Sequence, residues 1–407
     1  MILIFELVCI ATGHAATNSA TIQTIATSFP DQAIRVFAHQ SHLDELKADP
    51  VLVCNRNVTF QPVPISPHYM FRPHIVSFRR GLREFWTMLD GIRSVPAGEP
   101  CLIMLISATP TAIFAASLLA RLMRRRIKVQ VGLHGNLNDA FGWRTRNPLT
   151  RSIDLRAALT SRHGGRVRFL VLENAIRRAL AEQASVPPDT IDVLPLPISQ
   201  RESETAEPNT LTLPLRIGLV GQATEAKGIT PFLGLAREFA ATHPDAVRFH
   251  LVGNAPAGSD LTALAILGEP VPTLHIPRTE FVAKLRRLHY VCLLLQPSYY
   301  ELSASGALLD AITWLRPIIS TPMPIIKDLF DRFGDIGELC DDLPGMRAAI
   351  SRLAVAPDPA RYQRQVANLR RIRSSRTPQA LAADYRSLIG AAFPNLLTQA
   401  TACVHAR

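Results

Sequence analysis

The chain has 407 residues, 47% of them hydrophobic, 19% charged and 6% aromatic, with a formal net charge of +11. This balance excludes a disordered chain and, with no glycine period, a fibre. The six cysteines (Cys9, Cys54, Cys101, Cys292, Cys340, Cys403) lie far apart with no CxxC pair, which excludes a disulfide scaffold or zinc module and fits a reducing compartment.

Met1–Cys9 (MILIFELVC) begins like a secretory leader, but it lacks a basic start and Glu6 interrupts the apolar stretch, so it reads as a buried first strand over Ile2–Val8. A helix over Asn18–Thr27 and a strand over Ile34–Phe37 follow, then an irregular loop at 50–75 with five prolines, and a helix over Ile75–Leu89. Cys101–Ala120 has no charge in twenty residues, long enough to span a bilayer. Ser107-Ala108-Thr109-Pro110 divides it, however, so the pattern predicts a buried strand over Cys101–Ser107 and a helix over Thr111–Arg125 with proline in its first turn. Further strands are expected at Ile127–Gly132, Phe169–Val171 and Ile191–Leu194, with a helix at Ala175–Ala184. Leu194-Pro-Leu-Pro-Ile198 and the polar stretch Ser199–Thr212 then read as a linker.

A second series restarts at Leu215–Val220 and continues with strands at Arg248–Val252, Thr273–Ile276, Tyr290–Leu295 and Pro317–Ser320, a helix at Ile229–Ala240 among those between them. Beyond Pro357 only helical patterns remain, at Pro359–Arg373 and Gln379–Ala392. Alternating apolar and amphipathic segments predict parallel α/β folds. The expected organisation is an N-terminal Rossmann-like domain (1–198), a linker (199–213), a second Rossmann-like domain (214–375) and a C-terminal helical segment (376–407). No repeat or low-complexity tract is present.

Two segments carry candidate chemistry. In Ile217-Gly-Leu-Val-Gly-Gln-Ala-Thr-Glu-Ala-Lys-Gly228 a strand ends, a glycine opens a loop, and Lys227-Gly228 lead into a helix. Such a junction aims backbone N–H groups and a helix dipole at an anion, although it also serves as a plain structural turn. In Gln296–Ala311 (QPSYYELSASGALLDA) a strand runs into a polar loop and then a helix starting near Ser303–Gly306. Ser303, Ser305 and the amides near Gly306 can bind an anion, and Asp310 can accept from a ribose diol. Equally, Ser303 can simply cap the helix and Asp310 favour its positive end. No GxSxG or HExxH occurs, and no cysteine and histidine cluster has metal-ligand spacing.

Together the two segments resemble the C-terminal half of retaining glycosyltransferases of the GT-B, family 4 type. That family's pattern runs V-G-R-x-x-x-x-K-G, then F-x-L-V-G-x-G-P, then P-S-x-x-E-G-F-G-x-x-x-x-E-A-x-x-x-G-x-P-V-I. Here the same order reads VGQATEAKG, then FHLVGNAP (Phe249–Pro256), then PSYYELSASGALLDAITWLRPII (Pro297–Ile319), over about 100 residues. The resemblance implies a GT-B architecture, two doubly wound α/β domains facing across a cleft with C-terminal helices crossing back to the N-terminal one. It implies a metal-independent, hexosyltransferase-type enzyme with no cofactor, moving a sugar from a UDP- or GDP-sugar, with retention, to a glycan or lipid-linked acceptor in surface polysaccharide or glycolipid synthesis.

By resemblance Lys227 holds the donor diphosphate, helped by Gly221, Gln222, Ser303, Ser305, Gly306 and Ala307. Asp310 stands for the carboxylate on the nucleotide ribose, and Glu301 for the one on the donor sugar. Gly253 and Asn254, with His275–Arg278, flank the base. His134, in Leu133-His134-Gly135-Asn136, faces the donor sugar, and Gly13, His14 and Asn136 lie on the acceptor side. Two departures stand out: Gln222 replaces the family's arginine, and eight residues rather than seven separate Glu301 from Asp310. They leave room for a catalytically silent nucleotide-binding or scaffold homologue. A sugar-nucleotide epimerase on the same fold would need an acid/base pair facing the sugar, and no convincing pair is visible.

The charge is uneven: residues 1–200 hold 22 Lys and Arg against 14 Asp and Glu (+8), and residues 201–407 hold 22 against 19 (+3). With no nucleic-acid motif and few aromatics, a nucleic-acid partner is not expected. The N-terminal arginines at Arg79-Arg80-Arg83, Arg121–Lys128 and Arg162–Arg168 read either as solvated helix ends or as a dock for an anionic membrane. A cytoplasmic protein, with peripheral contact at the inner face of the membrane, is the expectation.

Overall fold

Each apolar run of the first half becomes a strand buried on both faces, which requires helices above and below a parallel sheet. The computed structural model describes residues 1–65, 75–123, 127–133, 137–142, 147, 150–199, 202, 205–300, 302–303, 305–394 and 396, with 75–77 as backbone. It divides into two units, Met1–Ser199 with Arg376–Arg407, and Gln200–Ser375.

The first unit holds β1 (Ile2–Glu6), β2 (Ile34–Ala38), β3 (Val58–Pro62), β4 (Cys101–Ser107), β5 (Ile127–Leu133), β6 (Val167–Val171) and β7 (Ile191–Val193). Around them lie α1 (Ala15–Ser28), α2 (Gln40–Lys47), α3 (Pro50–Val53), α4 (Ile75–Arg93), α5 (Pro110–Leu122), α6 (Leu155–Thr160) and α7 (Asn174–Ala184). The strands are parallel in the order β3-β2-β1-β4-β5-β6-β7. The chain therefore reverses its direction of growth between β1 and β4, the switch point at which open α/β sheets bind ligands.

The second unit holds β8 (Leu215–Val220), β9 (Val247–Val252), β10 (Tyr290–Leu293), β11 (Ile318–Ser320) and β12 (Gly337–Leu339). Its helices are α8 (Ile229–Thr242), α9 (Leu261–Leu264), α10 (Arg278–Arg287), α11 (Pro297–Tyr300), α12 (Gly306–Thr313), α13 (Pro324–Phe333), α14 (Leu343–Val355) and α15 (Pro359–Ser375). The sheet is again parallel, ordered β12-β11-β10-β8-β9, and its switch point lies between β8 and β10.

The last described helix, α16 (Pro378–Ala392), belongs to the first unit and packs on α1. Tyr385 and Ile389 of α16, with Phe393 just after it, share a buried cluster with Ile22, Ile25 and Phe29. The Tyr385 hydroxyl donates to Gln130 Oε1 at 2.8 Å, and Arg376 pairs with Glu173 at 2.6 Å, both side chains under a tenth exposed. Elsewhere in this unit Phe5 and Phe37 stack at 4.6 Å.

The uncharged stretch Cys101–Ala120 divides as the proline predicts. β4 ends at Ser107, Thr109 caps α5 by accepting from the Ala112 amide at 3.1 Å, and Pro110 opens the helix. Among the described residues no helix is long and apolar enough to cross a membrane.

Three segments differ from expectation. The 50–75 loop contains α3 and the edge strand β3, whose outer side chains are exposed, so no apolar alternation marks it; Pro62 ends it where no further strand needs a donor. Thr273–Ile276 is not a strand. Leu274 is 80% exposed, and the backbone instead serves the loop after β9: Pro272 O accepts from the Ala255 amide at 2.8 Å and Thr273 O from Asn254 at 3.4 Å. β12, three residues long, has too short an apolar run to be read. The polar stretch before β8 is also tied down: Ala206 and Leu211 are buried, and Asn209 Nδ2 donates to Leu288 O at 3.0 Å just past α10.

Candidate functional site

Three loops leave the carboxyl ends of β8, β9 and β10 and touch one another. Gly221 N donates to Val252 O at 2.8 Å, Ala223 N to Asn254 O at 2.9 Å, and Gln296 N to Ala226 O at 2.9 Å. Two glycines permit this approach. At Gly253 (φ +150°) a Cβ would lie 2.0 Å from Gly221 O, and at Gly228 (φ +75°) 2.4 Å from Leu294 O. Neither space nor backbone geometry tolerates a side chain at either position.

Lys227 ends the short turn between β8 and α8 and folds back over Gly221, its Nζ donating to Val220 O at 3.0 Å. Burial holds its ammonium below the ordinary lysine range, and the Asp310 carboxylate acts in the opposite direction. Gln222 beside it is exposed. Across the switch point Ser305 caps α12, its Oγ accepting from Leu308 N at 3.4 Å. Helix geometry leaves the Gly306 and Ala307 amides without an intrahelical acceptor. Ser303 N donates to Tyr300 O at 3.3 Å, which turns the loop toward that helix. Asn254 is buried, and its side chain is used on the carbonyls of Ala255 and Thr273. It therefore fixes its loop.

Asp310 lies one turn into α12. Its Oδ1 accepts from Arg278 Nη2 at 2.8 Å, while Arg278 also grips Glu202 through Nε at 2.8 Å and Nη2 at 2.9 Å. Burial raises the Asp310 carboxyl, and Arg278 and Lys227 oppose that rise. The arrangement is a cation, two helix amides and a carboxylate at the mouth of one switch point. It can take a diphosphate and a neighbouring diol together. Sequence reasoning set Arg278 beside the base but missed its grip on two carboxylates. A signal existed, because an arginine opening a helix opposes the helix dipole and needs negative partners.

In the first unit Gly13 and His14 lie exposed on the loop after β1, with His14 in the left-handed region (φ 54°) as N-cap of α1. That loop hangs on the fully buried Glu6. Glu6 Oε1 accepts from the Val8 and Cys9 amides at 2.8 and 2.9 Å, and Oε2 accepts from Ser107 Oγ at 2.7 Å and Asn18 Nδ2 at 3.1 Å. The interruption in the first apolar run is thus a carboxylate that ties β1 to β4 at the switch point. His134, Asn136 and Glu301 lie outside the described residues.

Against solved structures the chain is similar over nearly its whole length to the glycosyltransferase from Rickettsia africae ESF-5 (9% identity, TM-score 0.66, 97% of this chain and 99% of that one). It is similar to WaaG, a glycosyltransferase involved in lipopolysaccharide biosynthesis (11%, 0.61, 96% and 99%), and to Anabaena Alr3699/HepE in complex with UDP-glucose (14%, 0.59, 95% and 100%). No protein-family model matches the chain, and no curated protein sequence does. At these identities the likeness is one of fold, the two doubly wound α/β units of the GT-B type.

Proposed function

We propose that the chain is a retaining glycosyltransferase that moves a sugar from a nucleotide-diphosphate sugar to a glycan or lipid-linked acceptor in polysaccharide or glycolipid synthesis. The observation that carries this reading is the meeting of Lys227, the α12 amides and Asp310 at the switch point of the second unit. Lys227 and the Gly306 and Ala307 amides take the diphosphate, where negative charge grows as the leaving group departs, so no metal is needed for that step. Ser303 and Gln222 border the same anion, Asp310 takes the ribose, and the Gly221, Gly253 and Asn254 loops shape the base pocket. Glu301 and His134 contact the donor sugar, and Gly13, His14 and Asn136 lie toward the acceptor. The donor is a UDP- or GDP-sugar, and UDP-glucose in the Alr3699/HepE structure supports the first of these.

A thermal-shift panel of UDP-, GDP-, ADP- and dTDP-sugars tests this. The cognate donor at 100-fold over its Kd should raise the melting temperature by about 5 °C, and no response to any of the four would reject it.

The same reading places the protein in the cytoplasm against an anionic membrane. α4 supports this: it exposes Phe78, Leu82 and Trp86 at four-residue spacing beside the exposed Arg79 and Arg83. Apolar and cationic residues sharing one helix face suit an interfacial helix. Sedimentation with vesicles should increase with anionic lipid content and fall in Trp86→Ser; binding indifferent to lipid charge would exclude the membrane contact.

A further inference from the structure

The donor reading gives Arg278 no task beyond standing near the base. The structure places it between two carboxylates, Glu202 on the segment entering the second unit and Asp310 on α12. We infer that Arg278 is a positioning residue: it fixes the Asp310 carboxylate for a ribose diol, and Glu202 holds Arg278 in place. This inference rests on the assignment of Asp310 to the ribose.

Geometry supports each link. Glu202 takes Arg278 by two parallel bonds from Nε and Nη2, the fork that fixes a guanidinium plane. The second hydrogen of Nη2 then meets Asp310 Oδ1 at 2.8 Å, leaving Oδ2 without a hydrogen-bond partner among the described residues. The Phe281 ring, one turn along α10, lies 4.9 Å from the guanidinium carbon and limits its swing.

A second arginine ties the same segment to the same helix. Arg373 Nη1 donates to Ala206 O at 3.4 Å and to Thr313 O at 3.1 Å. The chain entering the second unit is therefore fastened to α12 at residues 310 and 313, about one turn apart.

Among the described residues, the charged groups acting on Asp310 come from three elements: Arg278 on α10, Glu202 on the entering segment and Lys227 on the loop after β8. Arg278 and Lys227 favour the ionised carboxylate, while burial and Glu202 oppose it. A ribose hydroxyl donates to the carboxylate, so binding weakens as the pH falls through the Asp310 pKa. Removing Arg278 takes away a cation and raises that pKa, moving the acid limb of binding to higher pH.

The test is the pH dependence of the dissociation constant of the tightest binder among UDP, GDP, ADP and dTDP, measured on full-length protein from pH 4.5 to 8.5. Arg278→Gln is expected to weaken binding about tenfold at pH 7 and to shift the acid limb upward by about one pH unit or more. Arg278→Lys should return the limb toward its original pH without restoring full affinity, because an ammonium lacks the fork. Glu202→Gln should shift the limb downward. Asp310→Asn should leave only the limb set by the nucleotide's own terminal phosphate, and adding Arg278→Gln to it should not move that limb. Should Arg278→Gln not fold, Arg278→Lys and Glu202→Gln carry the test.

Wild-type binding by Asp310→Asn would overturn the ribose assignment and the inference with it. Weakened binding by Asp310→Asn, with affinity and limb unmoved in Arg278→Gln, would overturn the positioning role alone. Failure of all four nucleotides to bind the wild type would remove the site itself.

Discussion

Replacing Lys227 by alanine is expected to weaken nucleotide-donor binding by about 30- to 1,000-fold and to leave the fold intact. The Lys227 ammonium folds over Gly221 and spends its visible hydrogen bond on Val220 O. A diphosphate arriving at the switch point is a far stronger partner than one carbonyl. Truncating one member of a desolvated charge pair typically costs about 2–4 kcal/mol of binding. Loss of the bond to Val220 O costs about 1 kcal/mol of stability, too little to unfold a unit whose β8 is paired on both sides. Calorimetric titration with the cognate nucleoside diphosphate measures the loss, and a variant that binds like the wild type would place the diphosphate elsewhere.

The second large effect is structural. Arg376→Ala should destabilise the first unit by about 3–5 kcal/mol, the usual cost of leaving one member of a buried ion pair alone. Arg376 stands where the chain returns to the first unit, and its backbone carbonyl also accepts from Ile198 N at 2.8 Å. Without the guanidinium, Glu173, the N-cap residue of α7, remains buried with its partner gone. Urea unfolding should show the loss, and the double variant Arg376→Met with Glu173→Leu should recover part of it. A midpoint unchanged in Arg376→Ala would mean that the pair does not hold the returning chain.

Much of the fold was legible because the buried strands are continuous apolar runs bounded by turn residues. Cys101–Ser107 was separable from its helix by one proline, and Leu215–Val220 by one glycine. Two edge strands, β3 and β12, were not legible, although the edge strands β7 and β9 were. β3 exposes most of its side chains and β12 has only three residues, whereas Thr273–Ile276 has a strand's composition but uses the Thr273 carbonyl on the loop after β9. For the candidate site, Lys227 and Asp310 can be proposed from sequence because each sits in a local motif. The Glu202–Arg278–Asp310 chain could not, because its members are 76 and 32 residues apart and only the folded unit joins them. In the sequence Glu6 is only a break in an apolar run, and its four hydrogen bonds depend on strands and helices that no local pattern pairs.

The proposed function puts a nucleotide sugar at the switch point between β8 and β10. Hydrogen–deuterium exchange of the full-length protein, with and without saturating cognate nucleoside diphosphate, tests it most directly. Protection is predicted in residues 221–228, 253–254 and 305–310. Protection confined to the first unit, or none at these loops under saturation, would contradict it.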